Sequence, residues 1–297
     1  MTAMDQKRVQ MASGQGFIAA LDQSGGSTPK ALALYGVTED SYEGEAAMFA
    51  EMHAMRARII KAPGFTSGKV IGAILFERTM REQIDGTPVP TLLWDGRGIV
   101  PFLKIDKGLE AEADGVQMMK PIPGLEETLA EAAGLGVFGT KERSVIHSAN
   151  AAGIAAVASQ QFEVAHTVIA GGLVPIVEPE VNINAPDKAE AEALLVDALM
   201  SHVDALPDGQ QVMLKLTIPT EAGLYDALAD HPGVMRVVAL SGGYSTEEAC
   251  AKLAQNSKMI ASFSRALTEG LQRSMSDADF AAAIGANIDQ IHAASVA

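Results

Sequence analysis

Apolar residues in this chain fall into two rhythms. Short continuous runs occur at Gly16–Leu21, Val70–Phe76, Ile99–Leu103, Val137–Thr140, Leu173–Val177, Val212–Leu216, Val234–Leu240 and Met259–Phe263. Each is bounded by charged or turn-forming residues, which is the pattern of a buried strand. Between them lie stretches with helical spacing: residues 40–57, 125–133, 149–170, 187–205, 220–229 and 276–297, with a short polar helix and loop over residues 1–15. Ser245 followed by Glu248 has the form of a capping box and opens one further helix. Unbroken apolar strands alternating with helices predict a parallel sheet covered on both faces. About eight such units fit a closed (β/α)8 barrel better than an open doubly wound sheet. No G-x-G-x-x-G follows the first strand to favour a dinucleotide-binding version of the latter. The expected fold class is α/β, a single-domain TIM barrel over residues 1–297.

Composition narrows the function classes. The net charge of −15 argues against non-specific nucleic-acid binding and against an anionic membrane surface. It leaves an anionic substrate open, because a pocket can oppose the net charge. Cys250 is the single cysteine, so no intrachain disulfide is expected. The first residues, Met1 to Lys7, have no apolar signal core, and no run approaches a membrane span of ~20 residues. A cytoplasmic protein is expected. The six histidines are scattered with no pair at ligand spacing, which disfavours a metal mechanism. Trp94 is expected in a loop or short hairpin, and Cys250 as a small buried residue.

Candidate chemistry sits where the apolar runs stop. Their C-terminal edges carry Asp22, Glu77, Lys104, Lys141, Glu178, Lys215, Ser241 and Arg265. In a barrel these edges converge on the face where active sites are built. Lys104, Lys141, Glu178 and Lys215 follow one another at intervals of 37 residues, as βα units of similar size would give. Lys215 lies inside the apolar run Val212–Leu216. A buried lysine loses its proton more easily, and a neutral amine attacks carbonyls. The same run also allows Lys215 to sit at the strand end and reach solvent. Around it would gather carboxylates for proton transfer and cations for an anionic substrate. The glycine turns at Ser24–Ser27 and Ser241–Gly243, with the helix start at Ser245, offer backbone N–H groups for anions. Two such cradles suggest a phosphate at each end of the substrate.

Seven motifs then resemble the class I fructose-bisphosphate aldolases, from about Ser13 to about Ser274. They are Ile18–Ser24, Leu103–Gly108, Gly139–Arg143, Val174–Glu180, Leu214-Lys215, Leu240–Gly243 and Ser264–Leu267. The resemblance, to a bacterial-type member, implies reversible cleavage of fructose 1,6-bisphosphate to dihydroxyacetone phosphate and glyceraldehyde 3-phosphate, in glycolysis and gluconeogenesis. It implies Lys215 as the Schiff-base residue and Asp22 as the base for the C4 hydroxyl. Glu178 would be the proton shuttle, and Lys141 would lower the pKa of Lys215. Glu180 would position Lys215 or Glu178. Lys104 and Arg143 would lie near the C6 phosphate. Ser241, Gly242 and Arg265 would cradle the C1 phosphate, with Ser24, Ser27 and Gly243 as further substrate-binding candidates. No metal or other cofactor is implied, since the iminium itself is the electron sink. Family members are often tetramers, so a homo-oligomer is an option.

Three departures stand out. No tyrosine follows Tyr244, whereas vertebrate-type members end in one. Lys30-Ala31 stands where the family often has Lys-Arg. Gln23 replaces a common glutamate and is expected to matter little. Other Schiff-base barrels, such as transaldolases or keto-acid aldolases, are competing readings. A barrel without catalysis is disfavoured, because it should lack one of Lys215, Glu178, Asp22 and Lys141.

Overall fold

The computed structural model describes residues 1–297. Its central sheet has eight parallel strands: β1 (Phe17–Leu21), β2 (Val70–Leu75), β3 (Val100–Lys104), β4 (Gly139–Ile146), β5 (Val174–Val181), β6 (Val212–Thr217), β7 (Val234–Leu240) and β8 (Met259–Ala261). Each pairs with the next in chain order. The Ala20 N–H donates to the Phe263 carbonyl at 3.4 Å, which draws the first and last strands together across the seam. Helices fill the crossovers, as the (β/α)8 reading requires.

Alternation along the strands sorts the barrel interior into layers. Ile18, Phe102, Ile176 and Met213 belong to one dry inner cluster. Two residues on from Ile176 is Glu178, and two on from Met213 is Lys215. The same step leads from Phe102 to Lys104 and from Gly139 to Lys141. The floor of the barrel is therefore apolar, and the charged layer stands directly above it. Gly139 belongs to the tight part of that floor. A Cβ there would lie 2.1 Å from the Val174 carbonyl oxygen and 2.9 Å from the Phe102 ring.

A helix seals the bottom. α1 (Ala3–Ser13) starts with a capping box between Thr2 and Asp5. Its Gln10 side chain donates to the carbonyls of Ile71 at 2.8 Å and Gly98 at 2.7 Å. Lys7 donates to Gly136 O at 2.5 Å, and Arg236 reaches Met11 O at 2.9 Å. All four barrel partners lie at the start of a strand or just before one, so α1 closes the N-terminal mouth.

Several expectations are corrected here. Lys141, Glu178 and Lys215 lie within β4, β5 and β6 rather than at their ends. The strands run on past the apolar stretches because the inward polar residues still pair by backbone. The helix expected over residues 220–229 is reduced to Asp226–Ala229. Gly223 takes φ +82°, a left-handed value that a helix cannot contain. Trp94 lies in a π-helical turn, Leu92–Gly96, rather than a loop or hairpin. A hairpin does occur just upstream, pairing Gln83–Ile84 with Thr87–Pro88. Its turn is Asp85-Gly86, both with positive φ, the type I′ geometry that suits hairpins.

Outside the barrel wall, β4 turns Thr140, Glu142 and Ser144 away from the charged layer. All three are buried and have side-chain oxygens without a partner. Burial raises the Glu142 pKa well above its ordinary value, and Asp106 adds to this while Lys141 opposes it. Burial thus favours the neutral acid at Glu142, whose two oxygens have no hydrogen-bond partner. A carboxyl raised in the fold costs nothing below its unfolded pKa of about 4.5 and destabilises the fold as pH climbs from there, by about 1.4 kcal/mol per unit at most. Wild-type stability should therefore fall between pH 5 and 8 relative to the Glu142→Gln variant, measured by urea unfolding across that range. Parallel pH profiles would refute the neutral-acid assignment.

Candidate active site

A cavity of about 880 Å³ opens at the C-terminal face of the barrel. Its lining includes Asp22, Lys104, Lys141, Arg143, Glu178, Glu180 and Lys215, contributed by strands β1, β3, β4, β5 and β6 or the residues just beyond them. Ser24, Ser27, Ser241, Gly242 and Arg265 line it as well. Gly243 does not, although a Cβ placed on it would lie 3.6 Å from the Arg265 guanidinium. The helix capped by Ser245 (Thr246–Leu253) also lies outside the lining. Its Ser245 Oγ accepts from Glu248 N at 3.2 Å as expected, so the cap is real but serves the helix and not the cavity.

Lys141 is the hub. Its ammonium lies 2.8 Å from Asp22 Oδ2 and 2.9 Å from Glu178 Oε2. Lys215 Nζ lies 3.1 Å from the other oxygen of Glu178. All four side chains are nearly inaccessible to water. Burial works against the charge on Asp22, but Lys141 and then Lys215 overcome it and hold its carboxyl well below the usual range. Glu178 is likewise opposed by burial and lowered by Lys141 and Lys215. For Lys141 itself, burial is outweighed by Asp22 and Glu178, and its pKa is raised. Lys141 therefore meets the two carboxylates directly and Lys215 only through Glu178.

The remaining charges fall into two kinds. Lys104 pairs with Asp106 at 2.7 Å, Lys107 with Glu77 at 2.8 Å, and Arg143 with Glu180 at 2.9 Å. Glu180 thus engages Arg143, and neither Lys215 nor Glu178 is its direct partner. Burial raises the Glu180 pKa, with Arg143 opposing. Two nearby carboxyls are therefore driven in opposite directions, Glu178 toward the base and Glu180 toward the acid. Arg265 and Lys30 line the cavity without any ion-pair partner. Cations left free in the lining are suited to anionic groups of a ligand.

Sequence reading missed some of this lining. Lys30 was noted only as part of a departure, and Ser262 not at all. The Ser262 hydroxyl is buried, lines the cavity and has no partner. It stands two residues beyond Ile260 of the inner cluster, so the same alternation that exposes Lys215 would have found it. No group of three or more His, Cys, Asp or Glu side chains is gathered to hold a metal ion.

A buried lysine beside a carboxylate, in a cavity at the C-terminal face of a (β/α)8 barrel, has the parts of an enzyme site in which an amine could act as nucleophile. Comparison with known proteins specifies it. The family described as fructose-bisphosphate aldolase class-I matches residues 4–220. A class 1 fructose-bisphosphate aldolase from Synechocystis sp. is 54% identical over 286 residues, covering 96% of this chain and 95% of its own. One from Porphyromonas gingivalis is 52% identical over 287 residues, covering 97% of each. Among solved structures, a fructose-bisphosphate aldolase from Plasmodium falciparum, crystallised with TRAP and an inhibitor, superposes with a TM-score of 0.76. It covers 99% of this chain and 95% of its own, and at 21% identity it speaks to the fold. The chain belongs to the class I fructose-bisphosphate aldolase family.

Removing the hub tests the electrostatics. Lys141→Met leaves two buried carboxylates without their shared cation and should cost about 3–5 kcal/mol at pH 7. Asp22 and Glu178 have lowered pKa values in the fold, so their stabilisation is present above the unfolded value of about 4 and is lost as pH falls. The deficit of Lys141→Met should therefore be full at neutral pH and shrink as pH falls below about 4 in urea titrations. A deficit independent of pH would overturn the pairing.

Proposed function

We propose that this chain cleaves fructose 1,6-bisphosphate reversibly to dihydroxyacetone phosphate and glyceraldehyde 3-phosphate, with Lys215 as the Schiff-base nucleophile. The observation that carries this is the Lys215 amine, buried in β6 and 3.1 Å from Glu178 inside the cavity. Glu178 takes the proton that Lys215 must shed before attack. The amine adds to the C2 carbonyl, and the resulting carbinolamine loses water with a proton supplied by Glu178. The protonated imine then draws electrons from the C3–C4 bond. Asp22, held ionised by Lys141, removes the C4 hydroxyl proton as that bond breaks and the aldehyde leaves. The electron pair rests in a neutral enamine, so no step calls for a metal. Asp22 then gives that proton up to solvent, Glu178 takes one from solvent and passes it to the enamine carbon, and water adds to the imine and releases the second product from Lys215.

Lys141 works by holding Asp22 and Glu178 in their basic forms and in fixed positions. Glu180 orients Arg143 through their pair at 2.9 Å. Arg265, Ser241 and Gly242 are assigned to the C1 phosphate. Lys104, Arg143, Ser24, Ser27 and Lys30 are assigned to the C6 end, the last in the helix where an arginine is missing. The proposed setting is glycolysis and gluconeogenesis in the cytoplasm, with residues 1–297 as one catalytic domain. No helix is long and apolar enough to cross a membrane, which is compatible with that setting.

The decisive experiment incubates the protein with dihydroxyacetone phosphate and EDTA, reduces with borohydride, and locates the adduct by peptide mass spectrometry. The adduct should fall on Lys215. Lys215→Met should abolish it and lower kcat by at least ~10³-fold, as removal of a nucleophile does. An adduct on Lys104 or Lys141 would overturn the roles. Cleavage abolished by EDTA, with no adduct, would overturn the mechanism.

A further inference from the structure

Gln23 joins two parts of the molecule that are 241 residues apart in sequence. Its Nε2 donates to Ser264 Oγ at 2.6 Å, and Ser264 lines the cavity beside Arg265. Its Oε1 accepts from Arg56 at 3.3 Å, and its backbone oxygen accepts from the same guanidinium at 2.5 Å. Arg56, on the helix Gly44–Lys61, is 1% exposed and also donates to Thr79 Oγ1 at 2.7 Å. Burial pulls its pKa down to about 10, with Asp22 opposing, so it stays a cation at neutral pH.

The orientation of the Gln23 amide follows from this chemistry. Arg56 carries only donors, so the Gln23 atom facing it must be the carbonyl oxygen. The NH₂ group must then face Ser264. Ser264 Oγ is an acceptor in that bond, and its own proton remains free. The hydroxyl stands in the wall next to Arg265, which has no ion-pair partner, and a Cβ placed on Gly243 would lie 3.6 Å from that guanidinium. An anion held by Arg265 is the natural taker of the free proton.

We propose that Gln23 is a positioning residue that fixes Ser264 as a hydrogen-bond donor to the phosphate held at Arg265. This rests on the aldolase reading for the identity of the phosphate and adds Ser264 as a ligand and Arg56 as a positioning residue. It corrects the expectation that the exchange of glutamate for Gln23 matters little. A carboxylate at this position accepts from Arg56 equally well but also accepts from Ser264. It therefore takes the serine proton and places a negative charge beside the anion site.

The test compares Gln23→Glu, Ser264→Ala and the double variant. Each single variant should raise KM for fructose 1,6-bisphosphate about tenfold with kcat within about twofold, the pattern of lost ground-state binding. The Gln23→Glu change should cost less in the Ser264→Ala background, where the hydroxyl is gone and only the added charge still acts. Calorimetric binding of inorganic phosphate should weaken by a similar factor. That measurement needs no catalysis, so failure of this proposal is distinguishable from failure of the aldolase reading. A borohydride adduct on Lys215 at saturating dihydroxyacetone phosphate checks that each variant is folded. Unchanged KM and phosphate affinity would overturn the proposal, as would fully additive effects in the double variant.

Discussion

The ammonium of Lys141, held between Asp22 and Glu178 inside the barrel, is the interaction on which the rest of the site depends. Taking these charges out of water is costly, and only close pairing compensates. The pairing is possible because β1, β4 and β5 bring three inward residues to one level above an apolar floor. Remove the cation and both carboxylates face burial alone. With the cation in place, both stay ionised, and Lys215 has a base within reach. The fold thus brings a buried amine and two ionised carboxylates together from ordinary side chains.

Charge is then divided between structure and ligand. Lys104, Lys107 and Arg143 each carry a carboxylate partner, so they are held in place while still facing the cavity. Arg265 and Lys30 are left free. A site with every cation neutralised would have little attraction for a bisphosphate, and one with every cation free would repel itself. The acid–base division between Glu178 and Glu180 comes from the same arrangement. Glu178 touches two lysines, whereas Glu180 is buried with a single arginine. The Arg56–Gln23–Ser264 contact extends the logic outward, since a buried cation behind the wall orients a neutral amide that orients a hydroxyl in front of it.

Much of the architecture was legible in the chain. The eight apolar runs, the even spacing of Lys104, Lys141, Glu178 and Lys215, and the missing dinucleotide fingerprint led to the barrel. The charged residues at the end of each run led to the site. The errors have local causes. Apolar runs mark where a strand is dry and not where its backbone pairing stops, so Lys141, Glu178 and Lys215 were placed at strand ends when they lie inside. Ser245 is a true N-cap, but a capping signal carries no direction and does not say what the helix end faces. The 220–229 segment has helix-forming residues, and one left-handed glycine at 223 overrides them.

Periodicity and turn chemistry act over a few residues, and the sequence alone determined what they control: the order of strands and helices, the inward alternation, and which charged residues stand as candidates at the barrel's C-terminal face. Partner choice was decided only by the tertiary structure. Nothing local says that Glu180 binds Arg143 and not Lys215, that Lys141 reaches two carboxylates at once, or that Gln23 meets Ser264. Those contacts join residues 37 to 241 positions apart. They exist because barrel closure brings all eight strands around one axis, where distance along the chain no longer measures distance in space.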